Sequence, residues 1–473
     1  MKNKIDRRQF VQSTAAIGAG LFVAPNVMGV SATSAKKDDI NVALIGAGTE
    51  GKVLFDAAYK IGRNSGIKFK AVCDIWDFNR NSFASKLKKY KRKGYNDAAY
   101  IDYREMLDKE KGNIDAVIIA TPDCFHAEHT NACLEAGLHV YCEKEMSNTI
   151  EGAKSMVLAA RKTGKLLQIG HQRRSNPKYI FAKNNIIDKE VDGETLLGRI
   201  TTINGQWNRS IGACKDITIP KTAKPLSDAD LKTYGFGTMP RFLNWRWYKG
   251  LGGGPIVDLG SHQIDIYSWF LGEALPKSVM ASGGIDYWTN HEWYDNVMAV
   301  FEFVDKKGKS VRASYQTLTT SGSGGYYEKF MAENGALEIS EDPRFFNVGR
   351  DVKIVHGKVE YGKKPDIPEW KSWIDSGVIS PVPPPKKDPK AKNKAILDVR
   401  SSPLLAPNKI NATLDLPYHT PHLANFFDAI RDSKVKLNCP AEVGYHTAVM
   451  VHKVNEAVEA RRTLDFKPED FHV

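Results

Sequence analysis

Residues 40–51 read Ile-Asn-Val-Ala-Leu-Ile-Gly-Ala-Gly-Thr-Glu-Gly, an apolar run that passes directly into G-x-G-x-x-G. Each glycine answers a separate steric demand. Gly46 permits a tight turn, Gly48 lets the backbone approach a pyrophosphate, and Gly51 lets the next helix pack closely on the strand. The intervening Ala47, Thr49 and Glu50 belong to the same candidate cofactor loop. A second apolar run, Ile67–Cys73, ends in Asp74, at the offset where an acidic residue meets a ribose. A carboxylate there accepts hydrogen bonds from a 2′-hydroxyl and repels a 2′-phosphate, so NAD is expected in preference to NADP.

From residue 40 to 170 apolar strands alternate with helical patterns, at Ile40–Ile45, Ile67–Cys73, Ile114–Ala120, Leu138–Cys142 and Leu166–Ile169. That alternation implies a doubly wound parallel sheet. Beyond Gly198 longer alternating runs take over, at Ile200–Trp207, Val297–Phe303, Val311–Thr317 and Phe330–Ile339, with one helix, Pro255–Leu271, before most of them. The expected fold is α/β: an N-terminal Rossmann domain and a C-terminal α/β domain on a largely antiparallel open sheet. Domain boundaries follow at 36–170 and 171–440, with a Pro- and Lys-rich surface insertion at 363–394. Helical patterns return at His422–Arg431 and Val443–Arg461, and residues 441–473 are expected to pack back onto the structure. No internal repeat is visible.

Met1–Ala35 stands apart from either domain. Arg7-Arg8-Gln9-Phe10-Val11, a mildly apolar run and small residues up to Ala32 or Ala35 follow the order of an export signal of the twin-arginine type. The apolar run is far short of the ~20 residues that span a bilayer, so no stable membrane insertion is expected. A periplasmic location follows. The six cysteines are scattered and are expected mostly as free thiols. The net charge of +12 falls to +9 without Met1–Ala35, which holds four basic residues and one acidic one. Much of the excess lies in lysine-rich stretches at 86–93 and 386–394 that lack interleaved aromatics, which argues against nucleic acid as a partner.

Four motifs in order give the chain a wider likeness: Gly46-Ala47-Gly48-Thr49-Glu50-Gly51, Thr121-Pro122-Asp123-Cys124-Phe125-His126, Glu143-Lys144, and Asp258-Leu259-Gly260-Ser261-His262-Gln263-Ile264-Asp265. In these the chain resembles the Gfo/Idh/MocA oxidoreductase family over nearly all of residues 36–473. Gly170-His171-Gln172-Arg173-Arg174 and Tyr326-Tyr327-Glu328-Lys329-Phe330 resemble its exported, sugar-active branch. The resemblance implies NAD contacts at Thr121, Pro122, His126, Glu143 and Lys144, a catalytic group of Lys144, Asp258 and His262, and a C-terminal sheet that joins homo-oligomers. His126 is expected to support the cofactor loop or cap a helix rather than react. One departure stands out: the family usually has Glu-Lys-Pro, whereas Glu145 follows Lys144 here. In an extended segment Glu143 and Glu145 would share a face and Lys144 would point the other way.

Hydride removal from a secondary alcohol needs a base for the hydroxyl proton and a donor for the growing carbonyl. Lys144 lies past a strand's carboxyl end, where open α/β sheets bind ligands. Asp258 and His262 are four apart on the expected helix and share a face that Asp265 continues. His262 is the expected acid/base, Lys144 the donor and proton relay, and Asp258 the group that tunes them. Trp207, Trp245, Trp247 and Tyr248 offer aromatic faces for a sugar ring, with Asn244 and Arg246 for its hydroxyls. Candidate substrate contacts are His171, Arg173, Trp245, Arg246, Asp265 and Tyr326. His171 and Arg173 could equally be loop residues, and about half of the aromatics could be core. No segment has zinc-ligand spacing, so no metal is expected. Three readings remain: an exported NAD-dependent dehydrogenase of a glycoside or sugar ring hydroxyl such as that at C3, an NAD-dependent redox-assisted glycoside hydrolase, and a non-catalytic sugar-binding relative.

Overall fold

The computed structural model describes residues 38–62, 64–89, 98–191, 194–342, 353–356, 371–382 and 407–473. The expected export signal at 1–35 and most of the insertion at 363–394 lie outside the described residues. In the first half, strands β1 (Ile40–Ile45), β2 (Ile67–Cys73), β3 (Ala98–Tyr100), β4 (Ala116–Ile119), β5 (His139–Cys142) and β6 (Leu167–Ile169) form one sheet in the order β3-β2-β1-β4-β5-β6. Every pair in it is parallel. Helices α1 (Thr49–Lys60), α2 (Asp77–Lys89), α3 (Tyr103–Lys109), α4 (Asp123–Glu135) and α5 (Ile150–Thr163) make the crossovers. All four residues of β4 are buried, as a strand covered on both faces requires. β3 is an edge of three residues, too short for an alternating pattern to reveal it.

A two-stranded ribbon, β7 (Glu190–Val191) with β8 (Glu194–Thr195), precedes the second sheet. That sheet contains β9 (Ile200–Asn208), β10 (Pro276–Gly284), β11 (Asn296–Val304), β12 (Ser310–Leu318), β13 (Tyr326–Ala332), β14 (Gly335–Ile339), β15 (Lys353–His356), β16 (Ile379–Pro381), β17 (Asn408–Ile410) and β18 (Leu464–Asp465). Its order is β16-β17-β15-β14-β13-β9-β12-β11-β10-β18, antiparallel except where β9 runs parallel to β12. Two expectations need correction. Phe330–Ile339 is a hairpin, not one strand: Met331 pairs with Ala336 across a turn containing Asn334, just before Gly335. The helix expected over Pro255–Leu271 begins with a π-helical turn, Ile256–Gly260, before the regular helix Ser261–Phe270. The wider turn breaks the four-residue register that sequence spacing assumed for Asp258 and His262.

Helix Ala441–Ala460 packs on α5, β10 and the π-turn, and Thr420–Arg431 packs on α1, so the C-terminal segment returns to both halves. One large core cluster runs from β1 and β4 through Ile264 and Phe270 to β11 and β14. All six cysteines are unbridged. Among the described residues no helix is long and apolar enough to cross a membrane.

Candidate active site

The glycine loop leaves no freedom of choice at two of its positions. Gly46 has φ +91°, and a Cβ there would lie 2.5 Å from the Ala120 carbonyl oxygen; a Cβ on Gly51 would lie 2.0 Å from the Gly46 carbonyl oxygen. At Gly48, by contrast, the nearest atom to such a Cβ is Asn79 Nδ2 at 3.9 Å, so open space lies above that residue. Gly48 also starts α1 with no side-chain cap, leaving the first amides of the helix available to an anion. A cleft of about 430 Å³ opens here, and Gly46, Gly48, Thr49, Glu50, Asp74, Thr121, Pro122, Glu143 and Lys144 all line it. Ala47, Gly51 and His126 do not line it and serve the cleft from behind.

Asp74 is fixed by its neighbours before any ligand arrives: Oδ2 accepts from the Ala47 amide and Oδ1 from the Trp76 amide, each at 2.8 Å. Burial raises its carboxyl, and those two amides oppose the shift. His126 bridges two loops rather than touching the cleft. Its Nδ1 lies 2.7 Å from the Glu145 carbonyl oxygen and its Nε2 lies 2.8 Å from that of Thr121. Burial lowers the ring to about 4, and a neutral ring donates to only one of these acceptors at a time.

Lys144 reaches across to the second half, where Nζ donates to the Asp258 carbonyl oxygen at 2.7 Å and to its Oδ1 at 3.3 Å. Arg246 Nε donates to the same Oδ1 at 3.2 Å. Burial alone would raise the Asp258 carboxyl, but Lys144 and then Arg246 outweigh it and hold the group well below the usual range. His262 follows on the regular helix with Nδ1 unpartnered and its ring 5.1 Å from that of Trp207. Burial, then the fields of Lys144 and Arg173, push its ring well below its ordinary value. That shift favours the neutral ring. Tyr326 stacks on the other side of the arrangement, 4.3 Å from the Trp207 ring at 16°. His171 is buried nearby with both ring nitrogens unpartnered.

Several expected substrate contacts are committed elsewhere. Arg173 is 1% exposed and pairs with Glu328 and, at 2.8 Å, with Glu341. Asp265 is likewise buried and accepts from Arg174 Nε at 2.8 Å and Thr447 Oγ1 at 3.2 Å. Both side chains are 1% exposed and are held by these partners. Asn244 is bonded to both backbone groups of Ile217, and Trp247 stacks on His291 at 5.3 Å. Trp245 and Arg246 line the dinucleotide cleft, with the guanidinium 4.3 Å over the indole ring. Glu143 and Glu145 do not share a face: Glu143 lines the cleft, whereas Glu145 is enclosed with Oε1 accepting from the Met146 amide at 2.7 Å. The Lys144–Glu145 peptide is cis.

Two groups were not singled out by sequence. Asp123, the first residue of α4, lines the cleft; burial and then Asp258 raise it to about 7 against Arg246 and Lys144. Its motif was recognised, but nothing local showed that Asp258 would face it. His419 stands 3.4 Å from Glu50 and 3.8 Å from Glu143, and the donor atoms of the three lie within 4.8 Å of one another. Burial and Glu50 raise Glu143 to about 7, opposed by His419 and Lys144. His419 precedes the helix pattern from which the C-terminal segment was read, so no periodicity marked it.

Residues 40–171 match the model for the oxidoreductase family with an NAD-binding Rossmann fold, and residues 232–333 match the GFO/IDH/MocA C-terminal domain. The chain belongs to the Gfo/Idh/MocA oxidoreductase family. Its cofactor is NAD, and the open space at Gly48, the free amides of α1 and the half-buried Asp74 on the cleft wall fit that dinucleotide. Over 242 residues this Gfo/Idh/MocA protein is 31% identical to the D-glucoside 3-dehydrogenase of Escherichia coli (strain K12), covering 51% of this chain and 57% of that one. It is 27% identical over 268 residues to the alpha-N-acetylgalactosaminidase of Shewanella oneidensis, covering 51% of this chain and 56% of the relative. The chain thus spans little more than half the length of these two relatives. Its fold also matches levoglucosan dehydrogenase in complex with NADH and L-sorbose, with a TM-score of 0.63 at 18% identity over 91% of this chain and 100% of that one.

Proposed function

We propose that the protein oxidises a secondary ring hydroxyl of a sugar or glycoside to a keto-sugar, with NAD as hydride acceptor. The observation that carries this reading is the joining of Lys144 to Asp258 at the wall of the dinucleotide cleft, with His262 following on the next helical turn. Lys144 Nζ, anchored by Asp258, holds the reacting oxygen and donates to it as carbonyl character grows. His262, neutral, takes the hydroxyl proton. Asp258 stays ionised through Lys144 and Arg246 and keeps the ammonium in place. Trp207 and Tyr326 supply an aromatic wall for a ring's C–H face. NAD, when bound, supplies the electron sink. Similarity to the D-glucoside 3-dehydrogenase supports a glycoside substrate and oxidation at C3.

Similarity to the alpha-N-acetylgalactosaminidase supports a second reading, redox-assisted glycoside cleavage. One experiment separates the two. The oxidation reading expects a ketoglycoside two mass units lighter than the substrate, with one NADH formed per turnover. Free sugar carrying deuterium from heavy water, without net NADH, would instead establish cleavage.

Export through the twin-arginine route is part of the proposal and rests on Arg7 and Arg8; replacing both by lysine is expected to hold the precursor in the cytoplasm, and undiminished export would overturn it. A homo-oligomer is supported by the outer face of the second sheet. There Met280 and Val300 pair across β10 and β11 at 51% and 40% exposure, beside Met298 at 55%. Light scattering should give a multiple of the chain mass, reduced by Met298→Glu.

A further inference from the structure

A second group of ionisable side chains lies at the end of the cleft away from Asp74. In the sheet order β2 and β5 stand on opposite sides of the β1–β4 pair. A dinucleotide whose ribose meets Asp74 and whose diphosphate meets the first amides of α1 therefore extends its nicotinamide toward Glu143 and Lys144. There the His419 ring stands between two carboxylates, with Nε2 3.4 Å from Glu50 Oε1 and Nδ1 3.8 Å from Glu143 Oε1. Glu143 is fixed in place. Its Oε1 accepts from the Tyr141 hydroxyl at 3.1 Å and its Oε2 from the Lys144 amide at 3.2 Å, and a Cβ on Gly170 would lie 2.7 Å from Oε1.

A neutral imidazole has one N–H and one lone pair, so it can face only one of two carboxylates as a donor. The other carboxylate then meets a lone pair. One further proton, on the ring or on a carboxyl, removes that clash. Glu50 Oε1 and His419 Nδ1 are both buried without a hydrogen-bond partner. Exposure falls along the row, from 39% for the Glu50 side chain to 15% for His419 and 6% for Glu143, which gives a proton a way from solvent to the buried end. The nearby cations are engaged elsewhere: Lys144, and Arg246 from the segment that crosses from β9 to the π-turn, both donate to Asp258. Of the other groups around the row, His422 is bonded to Ser175 and to the Ile169 carbonyl oxygen, and His262 feels the charge of His419. Burial and the Glu50 charge already hold Glu143 at about 7.

We infer that Glu50, His419 and Glu143 form a proton-holding row that responds to the charge of the nicotinamide, releasing a proton when NAD⁺ binds and taking one up when the ring is reduced. In the oxidation the C–H electron pair moves with its hydrogen to the ring, which loses its positive charge, and the O–H proton goes to His262. With the positive charge gone, the row binds one proton. Alcohol, NAD⁺ and carboxylate thus become ketone, NADH and carboxylic acid, with NAD⁺ as the oxidant and atoms and charge in balance. The proton that oxidation would send to solvent stays on the protein. The inference rests on NAD as the cofactor and on Lys144 at the reacting centre, and not on which sugar is oxidised.

The test uses the full-length protein and reads binding, not turnover. NADH is titrated by its fluorescence and NAD⁺ by competition against it over a range of pH. The ratio of the NADH to the NAD⁺ dissociation constant, in which the free protein cancels, should rise about tenfold between about pH 6 and 8, since a unit charge a few ångströms away shifts a partly buried group on that scale. Glu143→Gln should abolish the rise. Glu50→Gln removes the like charge and should move it to lower pH, whereas His419→Gln leaves two carboxyls with no ring between them and should move it to higher pH. Glu50 is partly exposed, so its variant keeps the test open where a substitution of the buried residues fails to fold. A flat ratio in the wild type, or a rise that is lost with His262→Gln and unaltered by Glu143→Gln and Glu50→Gln, overturns the row and leaves NAD-dependent oxidation standing. Protein that binds neither coenzyme at any pH overturns both.

Discussion

The dinucleotide wall of this molecule and the wall proposed to face the sugar answer differently to a reading of their residues. On the first, Gly46, Gly48, Gly51 and Asp74 sit where their motif places them, because the strand, turn and helix that position them are contiguous in sequence. On the second, charges that looked available to a substrate are consumed by partners far along the chain. Arg173 meets Glu328 across 155 positions, and Arg174 meets Asp265 across 91. Motifs identify residues whose geometry is local, but they cannot show which buried charge faces which. A charged residue beside a cleft serves the fold first when an opposite buried charge lies within reach.

Five substitutions can break or sharpen that contrast, taken from the largest expected effect down. Arg173→Ala leaves Glu328 and Glu341 buried without their cation and is expected to destabilise the fold by about 3–5 kcal/mol. Denaturant titration reads it, and a variant that loses only substrate affinity would return Arg173 to the sugar site. Next, Lys144→Ala and His262→Ala should each lower turnover by a factor of about 10² while leaving NAD bound. Unchanged turnover in His262→Ala would move proton transfer to another group. Asp74→Ala should weaken NAD by about 1–3 kcal/mol and NADP by less, since only the 2′-hydroxyl uses that acceptor. Equal losses for the two in a binding titration would show that Asp74 serves the fold alone.

The smallest effect concerns pH. Asp123 is raised from 3.8 to about 7 by burial and by Asp258, so its protonated form suits the folded state. Its contribution is fully present below the ordinary carboxylate value and is lost as pH rises through about 7. Asp123→Asn should therefore flatten the fall in stability between about pH 4 and 7 by on the order of 1 kcal/mol. Thermal unfolding at the two pH values checks it, and an identical slope in the variant would remove Asp123 from the coupling.

The parallel sheet was legible because buried strands such as β4 are uniformly apolar and lie between helical patterns of ordinary length. β10 escaped notice since only Pro276 and Val279 of its nine residues are buried, which leaves almost no alternation to read. The π-turn at Ile256–Gly260 has no sequence rule, and it is this turn that frees Asp258 from the register with His262 and presents it to Lys144. Lys144, Asp258 and His262 were identified by family likeness, but that likeness did not show that Arg246 shares the aspartate. Of the aromatic residues in the crossing segment, Trp245, Trp247 and Tyr248 stand out in the sequence as possible sugar platforms, whereas Tyr234, Phe236 and Phe242 carry no such signal. The contact of Phe242 with Trp76 depends on a long excursion whose path no local pattern records.

Arg173 lies four residues beyond β6, the last strand of the Rossmann sheet, and its partner Glu328 lies on the second sheet. This buried ion pair ties the segment that leaves the Rossmann sheet to the second sheet, and parting them would strand an arginine and two glutamates in apolar surroundings. Molecules that close about their ligand by a hinge can tolerate substrates of varied size. A molecule tied in this way must select them by the width of its slot, and leave whatever opening it needs to its loops.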